Sequence, residues 1–191
     1  MGMELGIGIF YGWIFIALFG LINIILMRLY PKYYTRRLFT LPEFTSKSEK
    51  ALSIIYAAML NLTMLLSCFL PIAGGVAFTT GLTLYAISLA CICAALYAYA
   101  TTKPDTPVTK GIYKISRHPQ QVFTCTMIIG IGLMLNNPII ITSGVLQLFL
   151  LYPSMVAQER FCIDKYGKAY REYLNTAPRY LIFSSKGGVK K

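Results

Sequence analysis

The sequence predicts an all-α polytopic membrane protein of five transmembrane helices, N-terminus outside and C-terminus cytoplasmic, with a cytoplasmic C-terminal amphipathic helix. Three observations carry that prediction. Of 191 residues, 56% are hydrophobic and 13% charged, with a mean hydropathy of +0.59, whereas a soluble domain carries about a quarter charged residues. Charge is absent from three long tracts: Leu5 to Met27, Ala51 to Thr102 and Gln120 to Gln158. The 18 Lys and Arg residues fall in three segments between and after those tracts. A single membrane domain, 1–191, accounts for the whole length. Within it, 1–102 reads as a three-helix scaffold and 103–180 as the region that carries chemistry.

Leu5 to Met27 is about long enough to cross a bilayer as a helix, and Gly8-x-x-x-Gly12 offers it a close-packing face. The N-terminus has no basic leader and carries Glu4, and its apolar run is too long for a signal sequence, so it reads as a retained first span. Arg28 to Lys50 is a polar loop punctuated by Pro31 and Pro42. Its aromatics Tyr30, Tyr33, Tyr34, Phe39 and Phe44 suit the membrane interface. The uncharged stretch from Ala51 is too long for one span and right for two, broken at Pro71 and Gly74-Gly75, giving spans near 51–70 and 76–100. In the second, Ala86, Ala90, Ala94 and Ala98 stand one turn apart and predict a tight helix–helix contact. Tyr85, Tyr97 and Tyr99 could face a pocket, but core or interface positions are the favoured reading.

After a second polar loop, 103–117, the turn signal Asn136-Asn137-Pro138 divides the next tract into a hairpin near 120–135 and 138–157, with Pro153 expected to kink its second helix. Beyond Glu159, the residues Ile163, Tyr166, Tyr170, Tyr173 and Leu174 recur at helical spacing. Gly167 interrupts them at a cost of about 1 kcal/mol in a helix interior, which points to a break or a close approach. Ala177-Pro178-Arg179-Tyr180 ends that helix.

Segment 28–50 holds six of the basic residues, 103–117 four and 159–191 eight. Five spans put all three segments on one side, which the positive-inside rule makes cytoplasmic. The formal charge of +11 is thereby explained by membrane orientation, and no nucleic acid is expected. The placement implied is a cell membrane or endomembrane, multi-pass, with the functional clusters facing the cytoplasm.

The five cysteines show no metal or redox spacing, and one histidine with few acids suits no metal site. No Gly-x-Gly-x-x-Gly follows a strand, and no Ser-His-Asp arrangement stands out. Two clusters remain. Gly111 to Pro119 contains the single histidine, His118, at a water-facing end of an apolar tract. Gln158-Glu159-Arg160 leads on to Tyr166-Gly167, Tyr170 and Tyr173. Ionisable groups packed against apolar spans are costly and are functional candidates. Plainer readings stand beside this one. His118-Pro119 could simply cap a helix with the histidine solvated, Glu159-Arg160 could be an interfacial ion pair, and the tyrosines could be packing at the headgroup level.

Taken together, Gly111-x-Tyr113-x-x-x-Arg117-His118-Pro119, Gln158-Glu159, Tyr166-Gly167-x-x-Tyr170-x-x-Tyr173 and Pro178-Arg179 resemble the integral membrane methyltransferases. These include the isoprenylcysteine carboxyl methyltransferases and the related phospholipid N-methyltransferases. The resemblance runs from about Val108 to Tyr180, and the upstream spans match in character only. It implies an enzyme that binds S-adenosylmethionine and releases S-adenosylhomocysteine. Carried over by position, Tyr113, His118 and Pro119 contact the cofactor with backbone help from Val108, Thr109 and Lys110. Gln120 and Gln121 continue that wall, and Glu159 takes the second place of a Glu-Glu pair in which Gln158 replaces the first. The usual Arg-His-Pro-x-Tyr-x-Gly also has Gln121 and Phe123 in place of its Tyr and Gly.

The residue chemistry is compatible with what the resemblance implies. Tyr113 can stack on a flat ring or face a cation. Arg117 and His118 can bind a carboxylate, and Gln158 or Glu159 can hold an amine or hydroxyl. The catalytic candidates are His118, Glu159 and Arg117. The expected partner is a lipophilic methyl acceptor from the bilayer, prenylcysteine-like or a lipid amine. The rival of another class is a small transporter or scaffold without chemistry.

Overall fold

The computed structural model describes residues 10–30, 34 and 44–181. Among them the regular elements are helices: α1 Trp13–Leu29, α2 Lys47–Cys68, α3 Val76–Ala100, a 3-10 turn Gly111–Lys114, α4 Pro119–Met134, α5 Pro138–Leu150, α6 Tyr152–Tyr166 and α7 Lys168–Leu174. The span edges at Pro71 and Gly74-Gly75 and the hairpin turn fall where the sequence places them. Asn137 caps α5 by accepting hydrogen bonds from the N–H groups of Ile139 and Ile140, and Pro138 at the first helical position gives up no hydrogen bond there. Ser46 caps α2 by accepting from Glu49 N–H at 3.1 Å, while Glu49 accepts in return from Thr45 N–H at 3.2 Å, a reciprocal cap written as Ser-x-x-Glu.

Pro153 has no N–H for the carbonyl four residues earlier, and the long C-terminal apolar helix breaks at Leu151, just before it, into α5 and α6. Gly167 makes the second expected break. Its φ of +56° and ψ of −126° suit glycine and strain any residue with a Cβ. The chain turns there from α6 into α7.

The number of spans is corrected. Among the described residues three helical runs are long and apolar enough to cross a membrane: Lys47–Cys68, Val76–Ala100 and the combined Pro138–Tyr166. The other two apolar helices fall short, α1 with 17 residues and α4 with 16. At 1.5 Å per residue α4 reaches about 24 Å, against a hydrocarbon core of about 30 Å. It can start only after His118-Pro119 and must end before the Asn136-Asn137 turn. The expected start of the first span, Leu5 to Ile9, lies outside the described residues, as do Gly8 and most of loop 31–43.

α3 and α4 form the central pair, with α5 against α4 and α2 against α5. Tyr85, Ile92 and Leu96 of α3 meet Met127, Ile128, Ile131 and Met134 of α4 in the main core. The pair closes most tightly where Gly81 faces Gly130: a Cβ on Gly81 would lie 2.5 Å from the Gly130 carbonyl oxygen. The alanine stripe does not make this contact. Ala86, Ala90 and Ala94 are exposed, and of the four only Ala98 is buried. The packed face lies one step round the helix, because it is set by the glycine pair and the large side chains.

Hydrogen bonds define the two ends of the bundle. At one, Gly12 N–H donates to the Leu70 carbonyl, Ile72 N–H to that of Phe10 and Ala73 N–H to that of Met134. At the other, Arg160 of α6 grips Glu49 of α2 through both guanidinium nitrogens, at 3.1 and 2.6 Å, beside the loop that carries Arg117 and His118. The described parts of the three basic segments therefore gather at one end.

Candidate functional site

The site is assembled at that basic end from α1, α3, the loop leading into α4, α6, and α7 with the segment after it. Pro119 opens α4, so His118 occupies the N-cap position, but its side chain makes no capping bond. Ser116 organises the backbone instead. Its hydroxyl accepts from His118 N–H at 3.2 Å and donates to the Arg179 carbonyl at 3.1 Å, and Arg117 N–H donates to the Pro178 carbonyl at 2.9 Å. The segment after α7 is thus stitched along 116–118. α7 is fastened to the same loop, because Tyr173 Oη donates to the Tyr113 carbonyl at 2.6 Å.

Glu159 of α6 is the hub. Its Oε1 lies 3.1 Å from Arg117 Nη1, 3.3 Å from His118 Nε2 and 3.0 Å from Arg179 Nε. Its Oε2 lies 2.6 Å from Arg179 Nη2. The carboxylate is 7% exposed, Arg117 8% and His118 5%. A buried carboxylate needs this many donors, since taking a charge out of water costs several kcal/mol unless it is paired and hydrogen-bonded. Burial is the largest influence on His118 and holds its pKa below the ordinary 6.5. The hydrogen bond to Glu159 acts upward, and Arg117 and Arg179 act downward. Arg179 also stands 5.0 Å from the Tyr152 ring centroid, a cation–π distance.

In front of this hub lies a cavity of about 440 Å³, within the size range of small-molecule clefts. α1 contributes Asn23 and Met27, α3 contributes Tyr99, and the loop and the start of α4 contribute Val108, Tyr113, Arg117, His118, Gln120 and Gln121. α6 adds Gln158, Phe161, Cys162, Lys165 and Tyr166, and α7 adds Tyr170 and Tyr173. Among the described residues the lining holds two fixed cations, Arg117 and Lys165, and no Asp or Glu. Two buried polar atoms of lining residues, Arg117 Nε and Gln121 Oε1, have no hydrogen-bond partner among the described residues. Burial raises the pKa values of Tyr170 and Tyr173 well above the usual phenol value, so both stay neutral.

Of the residues singled out in the sequence, Val108, Tyr113, Arg117, His118, Gln120, Gln121 and Gln158 line the cavity. Glu159 and Pro119 do not line it, and Glu159 acts from behind through Arg117 and His118. Thr109 and Lys110 are exposed and line a second pocket with Lys103 and Glu172, where Lys110 Nζ donates to the Thr101 carbonyl at 2.8 Å. His118 is buried, which removes the reading of a solvated cap. Glu159 and Arg160 do not pair with each other: adjacent on α6, they point to Arg179 and to Glu49. Residues not singled out as site residues in the sequence include Arg179, Asn23, Met27, Tyr99, Pro107, Phe161, Cys162 and Lys165. Arg179 had left a signal in the Pro178-Arg179 pair, and Tyr99 in the pocket reading of the α3 tyrosines.

A helical bundle with three runs of membrane-spanning length, carrying a polar and aromatic cavity at its basic end, defines a helical membrane protein with a cleft of small-molecule size. The phospholipid methyltransferase family model matches residues 71–169, just over half the chain. The chain belongs to that family, and it is therefore a membrane methyltransferase. The match takes in α3, the loop, α4 to α6 and the first residues of α7, so both sequence clusters up to Gly167 lie inside it. Tyr170, Tyr173 and Arg179 lie beyond it. No curated protein and no solved structure matches the chain.

Proposed function

We propose that the chain transfers a methyl group from S-adenosylmethionine to a lipophilic acceptor, with the cavity in front of Glu159 as the cofactor site. The observation that carries this reading is the lining itself. Among the described residues it combines two cations without an acid, three glutamine amides and a set of aromatic rings, with Arg117 Nε and Gln121 Oε1 buried and unpartnered. Unpaired buried polar atoms are costly, and a ligand with a carboxylate, an amine and a flat heterocycle would satisfy them. S-adenosylmethionine, when bound, supplies an electrophilic methyl group on a sulfonium.

The chain's own residues supply recognition and alignment, which in-line methyl transfer needs more than acid–base groups. Arg117 and Lys165 attract the carboxylate, and the guanidinium does so as a directional donor. Tyr113, Tyr166 and Tyr170 offer faces for a flat ring or a cation. Gln120, Gln121 and Gln158 hydrogen-bond amino and hydroxyl groups. Packing of α7 and of the segment after it over the loop excludes water. The favoured acceptor is a carboxylate, as in a prenylcysteine-like lipid, on the likeness of the two motif clusters to the isoprenylcysteine carboxyl methyltransferases; such an acceptor needs no base. An amine headgroup is the second reading, supported by the family match, and there the buried neutral His118 could take the proton. The clustering of all described basic segments at one end supports a cytoplasmic site.

Titration of S-adenosylhomocysteine into the detergent-purified chain tests the cofactor reading: binding that His118→Ala weakens is expected, and its absence from folded, monodisperse protein overturns it. Alkali then separates the acceptors, since a labelled methyl ester is hydrolysed and a methylamine is not.

A further inference from the structure

The residue that the chemistry of the site leaves unexplained is Arg179. It lies outside the cavity lining and beyond the matched family residues, yet it makes the closest bidentate contact with the most buried carboxylate of the described chain. We infer that Arg179 is a positioning residue: held in place by the segment after α7, it fixes Glu159 against Arg117 and His118 and so sets how both side chains stand in the cavity wall. The inference rests on the cofactor reading for its functional consequence and on geometry alone for the coupling.

Three features lead to it. The first is division of labour at Glu159. Arg179 engages both oxygens, at 3.0 and 2.6 Å, whereas Arg117 and His118 reach only Oε1, at 3.1 and 3.3 Å. A bidentate guanidinium–carboxylate pair is directional as well as strong, so Arg179 dictates the carboxylate plane to which the other two conform. Because Arg117 uses Nη1 behind the wall, its Nε remains buried without a partner.

The second feature is the way Arg179 is itself placed. Its carbonyl accepts from Ser116 Oγ and the Pro178 carbonyl accepts from Arg117 N–H. Tyr180 Oη donates to the Leu148 carbonyl at 2.9 Å. The backbone at Pro178 and Arg179 is therefore tied to the loop that carries the site, the Tyr180 side chain is tied to the hairpin, and the Arg179 guanidinium stands over the Tyr152 ring. This is more anchoring than an exposed tail needs.

The third is electrostatic. The charged groups that face His118 are Glu159 from α6, Arg117 beside it and Arg179 from the C-terminal segment. Glu159 favours the imidazolium, and Arg179 opposes it both directly and by occupying the carboxylate. Removing Arg179 should let Glu159 pull a proton onto His118.

The chain has one histidine, so this coupling can be read without assignment. The full chain, purified through a histidine-free tag and labelled at histidine, gives one imidazole signal whose pH titration reports His118. In Arg179→Gln the midpoint should rise by roughly one unit, and S-adenosylhomocysteine affinity should fall by at least about tenfold. In a Glu159→Gln background, the same Arg179 substitution should raise the midpoint less, by its direct charge effect alone. An Arg179 that acts by its charge alone would shift the midpoint equally in both backgrounds and leave S-adenosylhomocysteine affinity unchanged. If Arg179→Gln is not monodisperse, Arg179→Lys replaces it, since loss of the fork should still shift the midpoint and cost about threefold or more in affinity. A folded variant with the wild-type midpoint and affinity overturns the inference. A midpoint that moves in a chain that never binds S-adenosylhomocysteine overturns the cofactor reading and leaves the coupling established.

Discussion

Tyr173 Oη donates a 2.6 Å hydrogen bond to the carbonyl of Tyr113, a residue 60 positions earlier in the chain. One hydroxyl thus joins α7 to the short 3-10 turn that leads into Arg117 and His118. Both rings sit in a small core with Val108, Tyr170, Ala95 and Ala98, so the bond is made in a dry setting. Removing the hydroxyl leaves a buried carbonyl short of one donor, which costs about 1–2 kcal/mol. Tyr173→Phe should lower thermal stability by that amount and weaken S-adenosylhomocysteine binding several-fold, as read by calorimetry. Unchanged stability and affinity would show that α7 is held by packing alone.

The contact of α3 with α4 depends on glycine. A Cβ at Gly81 would meet the Gly130 carbonyl oxygen at 2.5 Å and the Met134 nitrogen at 2.8 Å, atoms of a helix backbone that cannot step aside. Gly81→Ala should destabilise the bundle by on the order of 2–3 kcal/mol. Ala94→Leu on the exposed face should stay within about 0.5 kcal/mol. Unfolding of both variants in the same detergent decides the matter, and the reverse order would restore the alanine stripe as the packing face.

Gly167 has a different requirement. Nothing lies within 4 Å of a Cβ built on it, but its φ is +56°. Gly167→Ala should cost about 1–3 kcal/mol through backbone strain alone. Gly74→Ala, also in open space and without a positive φ, serves as the control and should be close to neutral. Equal melting temperatures would mean that the α6–α7 break tolerates a side chain.

Stability should depend on pH through His118. Its pKa in the folded chain is depressed below 6.5, with burial the largest cause. A depressed value means the folded state binds fewer protons than the unfolded chain, so stability rises with pH across the window between the folded value and 6.5. The contribution is complete above 6.5 and is lost as pH falls through the folded value. Melting temperature should therefore drop below pH 6.5 in the wild type and drop less in His118→Asn. Parallel curves would place the titration on another group.

Much of the fold is legible in the sequence because its punctuation is chemical. Pro71 with Gly74-Gly75, Asn136-Asn137-Pro138 and Gly167 each impose a local backbone constraint that no packing overrides, and the helix ends fall beside them. The packed face of α3 is not legible. Along an uncharged helix the lipid side is as apolar as the core, so sequence contrast cannot mark the inner face. Ala86, Ala90 and Ala94 look like a contact and point outward.

Composition, charge segregation and motif spacing are properties of the chain alone, and they suffice for an all-helical, basic-ended membrane chain, its family and the two clusters that carry chemistry. Tertiary structure decided that Glu159 stands behind the cavity wall and not in it, that its strongest partner is Arg179, and that Thr109 and Lys110 line a separate pocket. It also decided that Arg160 turns away to Glu49, 111 positions off. Those outcomes depend on which ends of distant helices meet, and on the cost of burying a carboxylate, which recruits every donor within reach whatever its place in the sequence.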